Sequence, residues 1–465
     1  MTDLADQPLS PLDGRYRAAT APLVEHLSEA GLNRARVHVE VEWLIALTDA
    51  GVAGTRPLED AQRAALRAVV TSFGGAQVDE LAAHEAVTRH DVKAVEYFLR
   101  DRLDELGLSG LAELVHFACT SEDINNLAIA LTVQAAVRDV WVPALDLVVG
   151  RLRDLATSWA DAPMLARTHG QPATPTTMGK ELAVFVHRLT RLRERVLAVE
   201  ITGKANGASG DFAAHLVAVP DVDWEALARR FVEGLGLGWN PLTTQIESHD
   251  WQVELYGRLA HVGGVLHNLC TDVWMYIAEG YLTQVPQAGA TGSSTMPHKV
   301  NPIRFENAEA NLELADGVLA TLQRTLVTSR WQRDLTDSTT QRNIGVALGH
   351  GLVALDNLAR GLTEIDLDRD RLLADLDANQ EVLGEAVQTV VRAEIVAGRS
   401  TASNPYELVK ALTRGRRVTA ERMAEFVAGL GLDAAATERL AALTPATYTG
   451  LAERQVEHIR ERPAT

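Results

Sequence analysis

Five long helical patterns in the middle of the chain constrain its fold more than any other feature. Apolar residues recur at helical spacing over residues 122–160, 176–202, 248–283, 303–329 and 338–363. A helix of about 25 residues reaches nearly 40 Å, which is too long for one small domain to bury. The sequence therefore predicts a bundle of long helices, with a kink in the first of them at Pro143.

The second of these patterns carries a regular apolar seam. Its members, at spacings of three and four residues, are Leu182, Val186, Leu189, Leu192, Val196 and Val199. A repeat that averages about 3.5 residues keeps one seam facing a partner helix over a long distance. We therefore expect helices from several subunits to share one multi-subunit helical core.

Shorter helical patterns flank the bundle, at 21–50, 58–73 and 78–106 before it and throughout the chain after it. Aromatic residues make up only 5%, and Ala, Leu, Val, Arg and Glu dominate, a mixture that favours helices over strands. A chain of 465 residues also exceeds what one compact core usually supports. The sequence predicts an all-α protein with three helical domains, at residues 1–110, 111–363 and 364–465.

Charge and cysteine content exclude several classes of partner. The net charge of −18, from 62 acidic and 44 basic residues, argues against nucleic acid and anionic membranes. No run approaches roughly eighteen apolar residues, so we expect no membrane span. The two cysteines, Cys119 and Cys270, lie apart from any His or Cys cluster, which predicts reduced thiols in a cytoplasmic protein and no metal site.

Polar and turn-forming residues collect in the connections between the long helices. Residues 167–175 carry His169 between Thr168 and Gly170, and residues 203–220, rich in Gly, Ala and Asn, are predicted to form a small hairpin. A third connection covers residues 284–301. Loops on a rigid scaffold are the usual place for functional side chains, so we expect the site to be built from them.

The densest group of chemically useful side chains lies in residues 292–302, whose sequence is GSSTMPHKVNP. It contains Ser293, Ser294, His298, Lys299 and Asn301. Pro302 is expected just inside the start of a helix, with Asn301 as its cap. A loop that feeds a helix N-terminus and carries a base beside a cation stabilises an anion and the charge that develops on it. A plain connection between helices would explain the Gly and Pro, but not this crowding of the other residues.

This stretch resembles the signature loop of the fumarase/aspartase superfamily, whose members eliminate fumarate from substituted succinates. With His298 before Lys299, it is similar to the adenylosuccinate lyase branch. Fumarases and aspartases usually carry a small residue at the first of these positions, and argininosuccinate lyases usually carry Gln. The resemblance extends from Asp13 to the last helices and is closest to the longer bacterial type.

The resemblance implies a fold, substrates and an assembly. Members of the branch convert adenylosuccinate to AMP and the succinylated aminoimidazole carboxamide ribotide to its amide, each with release of fumarate. They use neither a metal nor an organic cofactor. Their substrates are nucleotides, and they form homotetramers in which the active sites are shared between subunits.

The resemblance also assigns catalytic roles. His169 matches the general acid that protonates the departing nitrogen, and His116 matches a histidine that assists it. Ser293 matches the general base that removes a proton beside a carboxylate; Ser294 competes for this role, and only the family pattern favours Ser293. Lys299 is expected to stabilise the developing charge.

Further side chains are expected to hold that lysine and the substrate. Glu306, seven residues after Lys299, is expected to form an ion pair with it. Thr120 and Ser121 match a pair that binds a substrate carboxylate, although capping of a helix would explain them equally well. Arg333, Ser338 and Arg342 match positions that bind phosphate and ribose, a task that suits bidentate Arg. A salt-bridged surface turn is the alternative.

The complete set of expected substrate-binding residues is Arg15, Tyr16, Arg89, His90, Asp91, Thr120, Ser121, Gln245, Ser294, Lys299, Val300, Asn301, Asn307, Arg333, Ser338 and Arg342. Two other functions remain open at this point. A sister enzyme such as an argininosuccinate lyase would share the fold and Ser293 without needing the arginine cluster. A helical scaffold without enzymatic activity would need neither His169 nor Ser293 in a flexible loop.

Overall fold

The computed structural model describes residues 7–285, 296, 299–413 and 418–460. Helices make up most of the described chain and nearly all of its regular structure, which confirms the all-α prediction. Its strands are short, with two or three residues each.

The N-terminal part consists of five helices before the first long one. Their bounds are α1 Arg17–Leu27, α2 Glu29–Asp49, α3 Asp60–Thr71, α4 Gly75–Thr88 and α5 Asp91–Glu105. Two 3₁₀ turns, Val52–Gly54 and Ser109–Leu114, connect them to their neighbours.

The long helical patterns of the sequence are present and carry short helices between them. The elements are α6 Ser121–Ala135, α7 Val142–Ser158, α8 Met178–Leu197, α9 Ala213–Ala218, α10 Trp224–Gly234, α11 Asp250–Ala278, α12 Ile303–Leu326, α13 Thr336–Gln341 and α14 Ile344–Gly361. The remaining helices are α15 Arg369–Asp377, α16 Gly384–Val396, α17 Pro405–Thr413, α18 Ala420–Gly429, α19 Ala434–Ala441 and α20 Ala452–Gln455, with 3₁₀ turns at Gln380–Leu383 and Val456–Ile459.

The short strands form four pairs. Antiparallel pairs join β1 Pro163–Met164 to β4 Thr176–Thr177, β2 Arg167–Thr168 to β3 Gln171–Pro172, and β7 Leu282–Gln284 to β8 Ile365–Leu367. A parallel pair joins β5 Thr202–Gly203 to β6 Gly238–Trp239. The hairpin predicted in residues 203–220 is therefore wrong, because its first strand pairs with a distant segment and α9 occupies its second half.

Two predicted helices are each divided by a local cap. The pattern at 21–50 breaks at Ser28, whose hydroxyl accepts the N–H of Gly31 at 3.1 Å and caps α2. The pattern at 78–106 breaks at Arg89, which adopts a left-handed φ of 52°. His90 then caps α5, because its Nδ1 accepts the N–H of Lys93 at 3.3 Å.

The irregularity expected from Pro143 takes the form of a π-helical turn at Ala136–Trp141, directly before α7. Proline has no N–H to donate to the preceding turn, so a wider turn next to it is a low-cost solution. The apolar seam of α8 is buried along its whole length, as its spacing predicts.

One continuous helical stretch, Ser121–Ser158, is long and apolar enough to cross a membrane by length and composition, with a mean hydropathy of 1.3. Half of its most apolar window is buried inside the fold, and its first two turns include the buried polar residues Glu122, Asp123 and Asn125. These are properties of a core helix. The helix passes this test by its mean hydropathy and contains no uninterrupted apolar run of that length, in agreement with the sequence analysis.

Contacts divide the chain into two compact units. The first unit comprises residues 1–145, 192–266 and 309–356. The second unit comprises residues 146–191, 267–308 and 357–465 and contains an apolar core around Leu383, Val387 and Met423. The division falls inside five long helices, so each unit is assembled from three separate segments of chain. The three domains expected from the sequence remain a prediction.

Candidate active site

His169 lies at the tip of a two-residue hairpin in the second unit. Strands β2 and β3 leave only His169 and Gly170 between them, with φ angles of 53° and 73°. Two central residues in the left-handed region are typical of the tight turn whose twist matches antiparallel strands. The imidazole is exposed at the tip, a position that gives it access to a ligand.

The base of this hairpin is fixed by Arg167. Its Nη2 lies 2.7 Å from a carboxylate oxygen of Asp375 and 3.4 Å from the hydroxyl of Tyr281, which also donates to Asp375. Burial and the contact with Asp375 raise the pKa of Tyr281 to about 12. Because Tyr281 directly precedes β7, this cluster ties the hairpin that presents His169 to the strand that leads into the 284–301 connection.

The signature stretch is only partly within the described residues. Ser293, Ser294 and His298 lie outside them, so their predicted roles are untested. Lys299 and Val300 are exposed, and the Val300 carbonyl accepts the side-chain amide of Gln284 at 2.7 Å. This bond joins the two ends of the connection.

The helix after the signature stretch begins at residue 303, as its periodicity predicts, so Pro302 precedes the helix instead of lying inside it. α12 starts at Ile303, and the Pro302 carbonyl accepts the N–H of Glu306 at 3.2 Å. The Glu306 carboxylate accepts the indole N–H of Trp274 at 3.2 Å. The predicted pairing of Glu306 with Lys299 is not among the ion pairs of the described residues.

A cluster of arginines and carboxylates surrounds a cavity of about 260 Å³ in the first unit. The predicted residues Ser338 and Arg342 line it together with Arg36, Glu122 and Asn125, which the sequence interpretation missed. The apolar residues that line the cavity are Leu27, Leu32, Ile129, Val133 and Ile344.

Each arginine of this cluster has a carboxylate partner. Arg333 lies 3.0 Å from Glu122, and Arg342 pairs with Glu29 and lies 3.7 Å from Asp91. The alternative of a purely exposed turn does not fit Arg333, because the Glu122 side chain is only 5% exposed. A phosphate would compete with these carboxylates for the same donors.

Asp91 connects this cluster to α5. Burial raises the pKa of its carboxyl, but the Arg36 guanidinium at 2.8 Å and the N–H of Val92 outweigh burial and hold it below its usual value. Arg36 also donates to Asn125 at 2.9 Å. Asp91 is therefore fixed as an anion beside two guanidinium groups, since Arg342 also approaches it.

His116 lies in the same unit, in the segment that leads into α6. Its Nδ1 is 2.6 Å from Glu40 Oε1, and its backbone N–H donates to Glu40 Oε2 at 3.1 Å. A Glu96 oxygen lies 4.0 Å from Nε2. Burial lowers the pKa of His116, but the hydrogen bond and charge of Glu40 outweigh this and raise it.

Thr120 and Ser121 begin α6 and are held by a buried carboxylate. Asp123 accepts the N–H of Thr120 at 2.8 Å, while Lys204 lies 3.0 Å from its other oxygen. Thr120 is the N-cap residue, an arrangement compatible with capping and with ligand binding alike. Lys204 and Asp123 are both almost fully buried, so the pair fixes this helix start.

The other predicted residues lie at element ends. Arg89 and His90 form the exposed α4–α5 junction, and Tyr16 precedes α1 beside the exposed Arg15. Gln245 is half-buried in a segment that Thr244 ties to the arginine cluster by donating to the Gln332 carbonyl at 2.9 Å. Asn301 and Asn307 flank the start of α12.

The predicted site residues divide between the two units. The first unit holds Arg15, Tyr16, Arg89, His90, Asp91, His116, Thr120, Ser121, Gln245, Arg333, Ser338 and Arg342. The second holds the described residues His169, Lys299, Val300, Asn301, Glu306 and Asn307.

One group in the described chain has the spacing of metal ligands. It consists of Glu80, His84 and Asp101 at the surface of the first unit. His84 lies 3.0 Å from Asp101 and Glu80 lies 2.8 Å from Arg102, so these side chains are explained by ion pairs.

Comparison with known proteins decides between the related families. The family described as Lyase matches residues 14–314, and the adenylosuccinate lyase C-terminal family matches residues 329–449. The adenylosuccinate lyase of Escherichia coli (strain K12) is 46% identical over 97% of this chain and 98% of its own. That of Vibrio cholerae is also 46% identical, over 96% of this chain and 97% of its own. The chain belongs to the adenylosuccinate lyase family.

A more distant solved structure agrees in fold alone. The 3-carboxy-cis,cis-muconate lactonizing enzyme from Pseudomonas putida superposes with a TM-score of 0.72 at 23% identity, covering 94% of this chain and 96% of its own. Its name describes a different reaction, so the helical scaffold does not decide the chemistry. Within the adenylosuccinate lyase family, the side chains at the loops and helix starts must do so.

Sequence interpretation missed the residues that hold those side chains. Arg167 lies in the predicted connection 167–175 but was given no role there, and Glu40, which binds His116, lies in no conspicuous motif. The signal for Glu40 was available: it lies at helical spacing between the apolar residues Val37 and Leu44, on the stripe that faces the core. A buried charge of this kind requires a partner. Such a residue in an adenylosuccinate lyase is therefore a candidate for holding a functional side chain in place.

Proposed function

We propose that this chain catalyses the β-elimination of fumarate from adenylosuccinate, giving AMP, and from the succinylated aminoimidazole carboxamide ribotide, giving the carboxamide ribotide. The supporting observation is its similarity to adenylosuccinate lyases along nearly the whole chain. Arg36 and Arg342 line a cavity together with Glu29 and Glu122, and an anionic nucleotide there would compete with these carboxylates for the arginine donors.

In the proposed reaction, Ser293 removes a proton from the succinyl carbon beside a carboxylate. The electron pair left on that carbon delocalises into the carboxylate, which then carries a second negative charge. Lys299, Asn301 and Ser294 donate to this carboxylate and stabilise the charge where it develops. To act as a base, Ser293 must already have given up its own hydroxyl proton to solvent, and Lys299 is assigned to stabilising the resulting oxyanion.

The carbon–nitrogen bond then breaks, and the nitrogen takes a proton from His169 as fumarate forms. An imidazole is suited to giving up a proton near neutral pH. The tight turn at His169 and Gly170 supports this role because it holds the ring at a projecting, solvent-accessible tip. Glu306 is assigned to orienting Lys299, and His116 to binding the anionic substrate beside the acid.

Binding is assigned to the remaining predicted residues. Arg333, Ser338 and Arg342 hold the phosphate and ribose, and Thr120 and Ser121 hold a carboxylate. The other contacts are assigned to Arg15, Tyr16, Arg89, His90, Asp91, Gln245, Val300 and Asn307. Bidentate arginine suits a phosphate, and the N-terminus of a helix suits a carboxylate.

The assembly we propose is a cytoplasmic homotetramer built around the long helices, with active sites that combine residues of different subunits. The support is the length of the helices, since the apolar seam of α8 is already buried within one chain. No metal or organic cofactor takes part in the proposed steps.

The test is fumarate release by the purified protein from adenylosuccinate, from argininosuccinate and from aspartate. We expect turnover of adenylosuccinate alone, and loss of turnover with retained substrate binding in Ser293→Ala, because that hydroxyl acts on a proton and does not anchor the ligand. Turnover of argininosuccinate alone would favour the sister enzyme, and fumarate from none of the three would favour a scaffold. Normal kcat in Ser293→Ala would remove this residue from the mechanism.

A further inference from the structure

Glu40 is a fully buried carboxylate that none of the proposed catalytic steps uses. It lies in the middle of α2 between Val39 and Val41, which are also fully buried. An isolated carboxylate in such a position is costly, so buried charges are found where they are paired and hydrogen-bonded. The partner of Glu40 is His116.

Both oxygens of Glu40 bind the same residue. Oε1 lies 2.6 Å from the ring Nδ1 of His116, and Oε2 accepts the backbone N–H of His116 at 3.1 Å. An ionised carboxylate only accepts hydrogen bonds, so Nδ1 carries a proton and Nε2 is the nitrogen left for another partner. The Glu96 oxygen at 4.0 Å from Nε2 is beyond hydrogen-bonding distance.

The backbone around His116 is held in an unfavourable conformation. His116 and Ala118 adopt left-handed φ angles of 58° and 59°, which non-glycine residues keep only where the surroundings impose them. Trp43, one turn after Glu40 on α2, donates its indole N–H to the Phe117 carbonyl at 3.2 Å. Helix α2 therefore fixes this segment at two points, immediately before the helix start that carries Thr120.

The charges that face His116 come from three helices. Glu40 approaches from α2, Glu96 from α5 and Asp123 from α6. Lys93 pairs with Glu96 at 2.6 Å and Lys204 with Asp123 at 3.0 Å. Glu40 is thus the carboxylate in direct contact with the ring, whereas each of the other two has a lysine of its own.

We propose that Glu40 is the positioning residue for His116: it fixes the ring through Nδ1, leaves Nε2 for the substrate and supplies the counter-charge of an imidazolium. A protonated His116 then offers an anionic substrate a cation with a fixed direction. The inference rests on the proposed function in that the ligand is taken to be the anionic substrate. It assigns to Glu40 no contact with the reacting atoms.

The test is the pH profile of kcat/KM in Glu40→Gln. The amide oxygen of Gln accepts only one of the two hydrogen bonds and carries no charge, so the imidazolium is lost at a lower pH. We expect the high-pH limb to move down by about one pH unit, with a loss of kcat/KM of about tenfold at pH 8 that is carried mainly by KM. Glu40→Asp keeps the negative charge but holds it farther from the imidazole. Its high-pH limb should therefore lie between those of the wild type and Glu40→Gln.

Glu394→Gln is the matched control, since Glu394 is a buried glutamate paired with Arg399 and has no assigned part in the site. Its pH profile should equal that of the wild type. A Glu40→Gln enzyme with a uniform loss at every pH and an unmoved high-pH limb would show that Glu40 only supports the fold, and would overturn the inference.

A second measurement does not need activity. In protein labelled with ¹³C at the histidine Cε1, the resonance of His116 is identified by its loss in His116→Gln and followed with pH. Its titration midpoint should fall in Glu40→Gln, or in Glu40→Asp if the first variant does not fold. An unchanged midpoint refutes the inference even in an active enzyme. Wild-type protein that releases no fumarate refutes the proposed function and leaves this titration as the test of Glu40.

Discussion

The turn that presents His169 gives a prediction whose size follows from the backbone. Gly170 adopts a φ of 73°, and a β-carbon added there would meet nothing within 4 Å. Gly170→Ala therefore introduces no clash, and its cost is the left-handed conformation itself, about 1 kcal/mol. Strands of two residues form a marginal hairpin, so this cost should lower the population of the correct turn by up to about fivefold.

The expected result is a decrease of kcat for fumarate release by up to about fivefold, with little change in KM, because the substrate-binding side chains are untouched. Gly170→Asn should retain most of the activity, since Asn tolerates left-handed backbone. The matched control is Gly429→Ala, an exposed helical glycine whose β-carbon also meets nothing within 4 Å. Wild-type kcat in Gly170→Ala, or an equal loss in the control, would refute the reasoning about the turn.

Other substitutions test the remaining parts of the site. Arg333→Ala should raise KM by about tenfold or more with little change in kcat, because a phosphate remote from the breaking bond is bound equally in the ground and transition states. Unchanged substrate affinity would show that the arginine cluster does not bind the phosphate. The His169→Ala and Ser293→Ala proteins should each be inactive, and refolding them together as mixed tetramers should restore at most about one active site in four. Mixed tetramers that are confirmed by mass but release no fumarate would place each site within one chain. Lys204→Met should destabilise the protein by about 3–5 kcal/mol, because Asp123 stays buried without its cation; an unchanged urea midpoint would contradict this.

Helical periodicity was enough to predict the long helices, because buried apolar residues recur at the same spacing along the whole length of each helix. The apolar positions of α8 and α11 remain visible as a pattern even where a boundary shifts by several residues. The interruptions were harder to predict. Arg89 breaks a helix through a left-handed φ without being a glycine, and Ser28 caps one within an otherwise continuous apolar pattern.

The loops that carry the candidate site could be located from their composition, whereas their supporting contacts could not. Arg342 and Glu29 lie 313 positions apart in the chain, and His116 and Glu40 lie 76 apart. No local pattern encodes such pairs, because they arise only when helices pack. The sequence named Arg342 and His116 through a family resemblance, and the packing supplied their partners.

The contact of Arg167 with Tyr281 and Asp375 has a consequence for natural variation among relatives. Arg167 lies two residues before His169, Tyr281 lies directly before β7, and Asp375 lies in the C-terminal third of the chain. Their three side chains are nevertheless joined by hydrogen bonds to one another. Loss of Arg167 would leave the Asp375 carboxylate and the Tyr281 hydroxyl to each other, and loss of Asp375 would leave Arg167 with only the more distant Glu279, 3.6 Å away. Relatives should therefore keep all three residues or exchange them together. A variant at position 375, far along the chain from any catalytic motif, would then reduce turnover by releasing the hairpin that carries the acid.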